Sequence, residues 1–272
     1  MAPSFSLVAA FLLSLGLLLL LRLSARRSGA TFVAPPPTPA PQAPQAQGNF
    51  SLALHPRSPL RVGLLGDSLT GGLMCASGGY GRIFRSYVGP AYEVQHFFIH
   101  GLYVTQEDAR THEALPHSVF SVRDGDFLRE ALAYQADIYL VMLGTCDAIA
   151  DFYEEQTFRA SFTALLRLLQ AQPSSPEVFV VTSPPLVHLA PKLESQEGAL
   201  ALEGVQASVA EGAGAGLVDA FGAMGGAGAD AGLFCDDLHI TFAGDMLVAG
   251  AVRAALQEAL VRQRGWPQFV EG

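Results

Sequence analysis

Lysine and asparagine are almost missing from this 272-residue chain, which holds one of each, Lys192 and Asn49. A lone lysine makes Schiff-base chemistry or a phosphate-binding P-loop a poor fit. Cysteine is scarce too. Cys75, Cys146 and Cys235 are too few for a disulfide scaffold and never fall in the CxxC spacing of a zinc knuckle. Cys75 and Cys235 are expected as free thiols, although an oxidising compartment would let them pair. Positive charge is also short, with 16 basic against 25 acidic side chains and a net charge of −9. Every acid lies beyond residue 30 and three of the bases lie before it. The remainder therefore carries 13 basic against 25 acidic side chains, a net of −12. With no basic stripe to meet phosphates, nucleic acid is not an expected partner.

The amino end is apolar. Phe5 to Leu21 is an uncharged run of seventeen residues followed by Arg22, Arg26 and Arg27. As a helix it would span about 26 Å, just short of the hydrocarbon thickness. Residues 1–30 are therefore expected to be a membrane anchor or a cleaved signal peptide, with Ser28–Ala30 as the small-residue cleavage site. The run has no polar face, which argues against a buried soluble helix. Residues 31–59 form a Pro/Ala/Gln-rich stem, expected to act as a semi-rigid spacer. The arginines favour a cytoplasmic carboxyl side, whereas Asn49-Phe50-Ser51 is a glycosylation sequon. A sequon on a stem beside an apolar run tips the expectation to a single-pass or secreted protein of the secretory pathway.

From Arg61 the periodicity changes. Arg61–Leu65, Glu93–Ile99, Asp137–Leu143, Glu177–Thr182 and a weaker Gly216–Ala220 read as short buried strands, several stopping at a glycine. Glu154–Gln170 repeats apolar residues at helical spacing. Phe242–Arg264 reads as a long helix ending at Gly265. The Ala/Gly-rich stretch from Glu211 to Gly232 reads as loose loop. Alternating strands and helices predict a parallel, roughly five-stranded sheet covered on both faces over residues 60–272. In such folds ligands sit beyond the carboxyl ends of the strands.

The first of those ends reads Gly66-Asp67-Ser68-Leu69-Thr70-Gly71-Gly72. A serine at a strand-to-helix turn sets its hydroxyl at the sheet's mouth beside backbone donors, the makings of a nucleophile and an oxyanion site. An ordinary capped turn would use the same residues, and neither GxxxxGK[ST] nor GxGxxG fits. Asp236-Asp237-Leu238-His239 precedes the last helix. A histidine is the usual base for a serine, and Asp236 is spaced to hold the imidazole Nδ1–H. The bland alternative is a pair of solvated loop acids and a helix-start histidine. His96 and His100 are four apart but lie in a strand, where they read as packing or hydrogen-bonding residues.

Together the two ends resemble the outer signature blocks of the SGNH (GDSL) hydrolase family, and the resemblance extends over about Leu60 to Arg264. Gly101 stands where the family keeps an oxyanion-hole glycine, and Gly144-Thr145-Cys146-Asp147 where it has Gly-x-Asn-Asp. Ser183-Pro184-Pro185 looks like its proline-bearing loop. The resemblance implies a three-layer, flavodoxin-like α/β sandwich that hydrolyses carboxylic esters with no metal or cofactor. Ser68 would be the nucleophile, His239 the base and Asp236 its orienting acid. Ser68, Gly101 and Cys146 would line the oxyanion hole, with Asp67, Thr145 and Asp147 as further binding residues. The partners implied are a small-molecule, glycan or lipid ester and, through the amino-terminal run, a membrane. One departure stands out: the family's third oxyanion donor is an asparagine, and here it is Cys146. A thiol is a weak donor. The alternative to a weakened esterase is therefore a module that binds esters or glycans without turnover.

Overall fold

The computed structural model describes residues 59–72, 74–121, 125–186 and 201–261, with Trp266 and Phe269. The apolar run, the stem up to Ser58, Asn49, Lys192, His188 and the expected helix stop at Gly265 lie outside these residues.

Five strands form one parallel sheet: β1 (Leu60–Gly66), β2 (Tyr92–Phe98), β3 (Ile138–Met142), β4 (Glu177–Val181) and β5 (Gly216–Val218), in the order β2-β1-β3-β4-β5. Val62 pairs with Val94 on one side and Ile138 on the other, which places β1 and β3 at the centre. Strands buried on both faces need apolar residues at every position, not at alternate ones. All five residues of β3 are buried, and Leu64 and Leu65 of β1 point into opposite cores.

The order of the strands reverses between β1 and β3, so helices cover both faces. Helices α1 (Ser68–Gly71) and α2 (Tyr80–Val88) follow β1, α3 (Gly125–Tyr134) follows β2, and α4 (Thr145–Ala148) and α5 (Glu155–Gln170) follow β3. Then come α6 (Leu202–Ala213), α7 (Ala220–Ala223) and α8 (Phe242–Leu256). One core joins Leu65, Tyr139 and Val141 to α3, α5 and α6, and the other joins Leu64, Leu140 and Met142 to α2 and α8. These three layers are the expected α/β sandwich.

Three local expectations need correction. The stretch from Glu211 to Gly232 is built, not loose: it holds the end of α6, then β5 and α7. Asp219, expected within the strand, caps α7 by accepting from the Gly222 N–H at 2.7 Å. The last helix leaves α-helical geometry at Leu256 and continues as a wider π-type turn, Gln257–Val261. Cys75 and Cys235 are not free thiols but form a disulfide, their Cα atoms 5.9 Å apart. The reason is the turn after α1: Ser77 donates to the Gly72 carbonyl at 3.1 Å, and the Gly78 N–H does the same at 3.1 Å. That turn folds Cys75 back over the sheet's mouth, where the loop before α8 delivers Cys235.

Candidate active site

β1 ends at Gly66, and Asp67 caps α1 by accepting from the Leu69 N–H at 2.9 Å. The cap sets Ser68 at the first helical position, 6 % exposed. From the other end of the domain, Asp236 closes a tight turn. Its Oδ1 accepts from the Leu238 N–H at 2.8 Å and the His239 N–H at 2.6 Å. Its Oδ2 is then 2.8 Å from His239 Nδ1, and His239 Nε2 is 3.0 Å from Ser68 Oγ. Side chains 171 residues apart thus meet in one relay.

The histidine turn is held from below and behind. Cys235 N–H donates to the His239 carbonyl at 2.9 Å, the Thr241 N–H to Leu233 at 2.8 Å, and Phe234 bridges Ile240. The disulfide joins this turn to the loop that follows Ser68. Asp236 is nearly half exposed by its side chain. Burial pushes its carboxyl up, but the His239 and Leu238 N–H groups and the imidazole outweigh that, and the net shift is downward.

Gly101 has φ +72°, in the left-handed region that glycine enters without strain. A Cβ added there would project into open space. The conformation, not crowding, asks for glycine. Cys146 lies beside it, 7 % exposed, and donates its thiol to Asp67 Oδ2 at 3.6 Å. Burial, then the nearby Asp67 and Asp147 carboxylates, push the thiol far up, while the Gly101 N–H acts the other way. The thiol therefore stays protonated and is no thiolate nucleophile. Burial also raises Asp67, to about 6, against the opposing Leu69 N–H and the Cys146 thiol.

Two residues expected to bind substrate are buried and hydrogen-bonded within the protein itself. Asp147 is fully buried and accepts from the Val104 N–H at 3.0 Å and the Thr105 N–H at 2.8 Å. It anchors the segment that follows Gly101. Thr145 is also buried and donates to Ser183 Oγ at 2.7 Å. Its partner belongs to a strut that sequence reasoning missed. Gln206 of α6, fully buried, accepts from the Ser183 N–H at 2.9 Å and donates to the Leu143 carbonyl at 2.8 Å. It ties the ends of β3 and β4 together beneath the site. A glutamine in an Ala/Gly-rich helix carries no signal of that duty; only the packing of α6 assigns it. Among the described residues no group of three His, Cys, Asp or Glu side chains could hold a metal ion.

Residues 64–247 match the GDSL-like Lipase/Acylhydrolase family. The chain belongs to that family. Membership places it among hydrolases that act on esters. Among curated proteins none matches it in sequence. Solved structures resemble it in fold at low identity. One is an α/β hydrolase from the metagenome of Lake Arreo, with TM-score 0.54 and 16 % identity, over 73 % of this chain and 95 % of its own. Another is a GDSL-like lipase from Bacteroides thetaiotaomicron, with TM-score 0.52 and 15 % identity, over 74 % and 89 %. A third is a catalytic mutant of an acetylxylan esterase from Geobacillus stearothermophilus, with TM-score 0.51 and 17 % identity, over 73 % and 94 %.

Proposed function

We propose that this acylhydrolase cleaves carboxylic esters by a serine mechanism centred on Ser68. The observation that carries the reading is His239, 3.0 Å from Ser68 Oγ on one side and 2.8 Å from Asp236 Oδ2 on the other. Asp236 keeps the proton on Nδ1, which leaves Nε2 to take the Ser68 proton as Oγ attacks the acyl carbon. The carbonyl electron pair moves onto oxygen, held by the Ser68 and Gly101 N–H groups. The protonated imidazole then gives its proton to the departing alcohol. Water, deprotonated by the same nitrogen, releases the acid from the acyl-enzyme and regenerates the hydroxyl.

The substrate class stays with esters of small acyl groups, glycans or lipids, since an acetylxylan esterase and a GDSL-like lipase share the fold. The Cys75–Cys235 bond supports an oxidising compartment, and with the apolar run and the sequon it favours a tethered or secreted enzyme of the secretory pathway. Purified full-length protein should hydrolyse p-nitrophenyl esters, and Ser68→Ala should lower that rate by a factor on the order of 10³ or more. Equal rates for the two proteins would refute the mechanism.

A second reading has one observation behind it. Cys146 directs its thiol to Asp67, so the hole keeps two donors where the family has three. A binding module without turnover would be the extreme consequence. A fluorophosphonate probe separates the two: it labels Ser68 in an enzyme and leaves it unlabelled in a folded module.

A further inference from the structure

The described residues expose five large apolar side chains: Met74 at 58 %, Phe242 at 56 %, Met246 at 46 %, Leu247 at 39 % and Ile149 at 36 %. All five lie on segments that follow a strand's carboxyl end or the histidine turn, within eight residues of Ser68, Cys146 or His239. Met74 adjoins Cys75, which is bonded to Cys235 beside the histidine turn. Ile149 caps α4, three residues beyond Cys146. Phe242 begins α8, three residues beyond His239, and Met246 and Leu247 lie one turn further on.

α8 is unusual in what it shows to water. From Phe242 to Ala254 its exposed positions are Phe242, Ala243, Met246, Leu247, Gly250 and Ala254, without a charge or a hydrogen-bonding side chain among them. The outer side of α5, in contrast, carries an ion pair, Arg159 with Glu155 at 2.7 Å. A surface helix in water pairs a buried apolar stripe with a polar opposite face. A contiguous exposed apolar patch marks a surface that meets something apolar.

We infer that this collar docks the mouth of the active site onto a zwitterionic lipid surface, so that the ester attacked by Ser68 is one presented by the bilayer. This rests on the ester-hydrolase reading above and deepens it. The net charge of −12 beyond residue 30 opposes an anionic surface and also a second copy of the chain, whereas a zwitterionic bilayer carries no net charge to repel it. The chain outside the described residues also carries a companion feature. Phe5–Leu21 is an uncharged apolar run of seventeen residues, the composition of a segment that enters a bilayer.

The test uses the full chain in zwitterionic phosphatidylcholine vesicles. The chain has a single tryptophan, Trp266, so Phe242→Trp in a Trp266→Phe background reports on α8 alone. Its emission should shift to the blue and be quenched by acyl chains brominated near the headgroup. Water-like, unquenched emission would overturn the inference. So would blue emission without bromine quenching in a particle of twice the mass, since a second copy would then cover the face. In parallel, Phe242→Ser with Met246→Ser and Leu247→Ser should lose about tenfold in turnover on a vesicle-borne ester and keep its rate on a soluble one. Equal losses on both, or none, would count against docking. Should wild-type Ser68 resist a fluorophosphonate, the hydrolase reading fails while the fluorescence result still stands.

Discussion

The two halves of the relay are built differently. Ser68 rests on the strand-to-helix turn after β1, with Asp67 1 % exposed beneath it. His239 and Asp236 stand on an exposed loop held by hydrogen bonds within a few residues and by one disulfide. The serine is placed by the core of the domain, the histidine by a clamp at its rim. Changes that disturb the packing of the serine half should therefore cost fold, whereas the histidine half should lose chemistry first and fold later.

The largest break in that comparison is Asp236→Ala. It removes the partner of Nδ1 and the acceptor for two N–H groups of the turn. kcat on a soluble ester should fall by about 10² to 10⁴, with thermal unfolding little changed. A large fall in the unfolding temperature would show that the turn is tied to the core after all.

Next comes the clamp itself. Cys75→Ser, or reduction, opens a bond that spans 160 residues and should cost about 2–5 kcal/mol of stability. Turnover should fall at temperatures where the protein is still folded, because His239 is freed from its seat beside Ser68. Unfolding curves and esterase rates measured with and without reductant give both numbers. Loss of stability with no loss of rate below the transition would mean that the hydrogen bonds alone seat the histidine.

The contrast between the halves also explains what could be read in advance. The strand end at Ser68 and the three-residue spacing of Asp236 and His239 mark candidates in the sequence, and the resemblance to the SGNH family is what joins them. Strands β1 and β3 were legible too, since their unbroken apolar runs follow from burial on both faces. The pairing of Cys75 with Cys235 was not, since it depends on how two loops fold back over the mouth. Nor was the inward turn of Asp147 or the strut at Gln206. Both serve backbone groups whose positions exist only once the sheet has formed.

A smaller effect sharpens the serine half. In Cys146→Asn a carboxamide has two N–H groups, one to keep the bond to Asp67 and one to face the oxyanion. A single such donor is worth about 10²–10³ in favourable geometry. In a pocket shaped for a thiol, a rise in kcat of about tenfold is expected, with KM little altered. A sharp fall would give the cysteine a duty of its own.

The smallest effect lies in Asp67, which is fully buried and titrates at about 6 against 3.8 for an ordinary carboxyl. The groups that bear on it are the Leu69 N–H, the Cys146 thiol, Asp147 and His239. The folded protein thus holds this proton more tightly than the unfolded chain does, and Asp67 favours folding more as pH falls from 7 toward 4. Between pH 7 and pH 5 the gain from this one group is about 1 kcal/mol. Asp67→Asn keeps an oxygen for the Leu69 N–H and has no proton to exchange. Denaturant melts at both pH values should show the wild type gaining about 1 kcal/mol more than the variant on acidification. Asp236, whose carboxyl is shifted downward, contributes in the opposite sense in both proteins and cancels from the difference. Equal gains would mean that Asp67 keeps an ordinary carboxyl's affinity for its proton, and that the serine turn is wetter than its burial suggests.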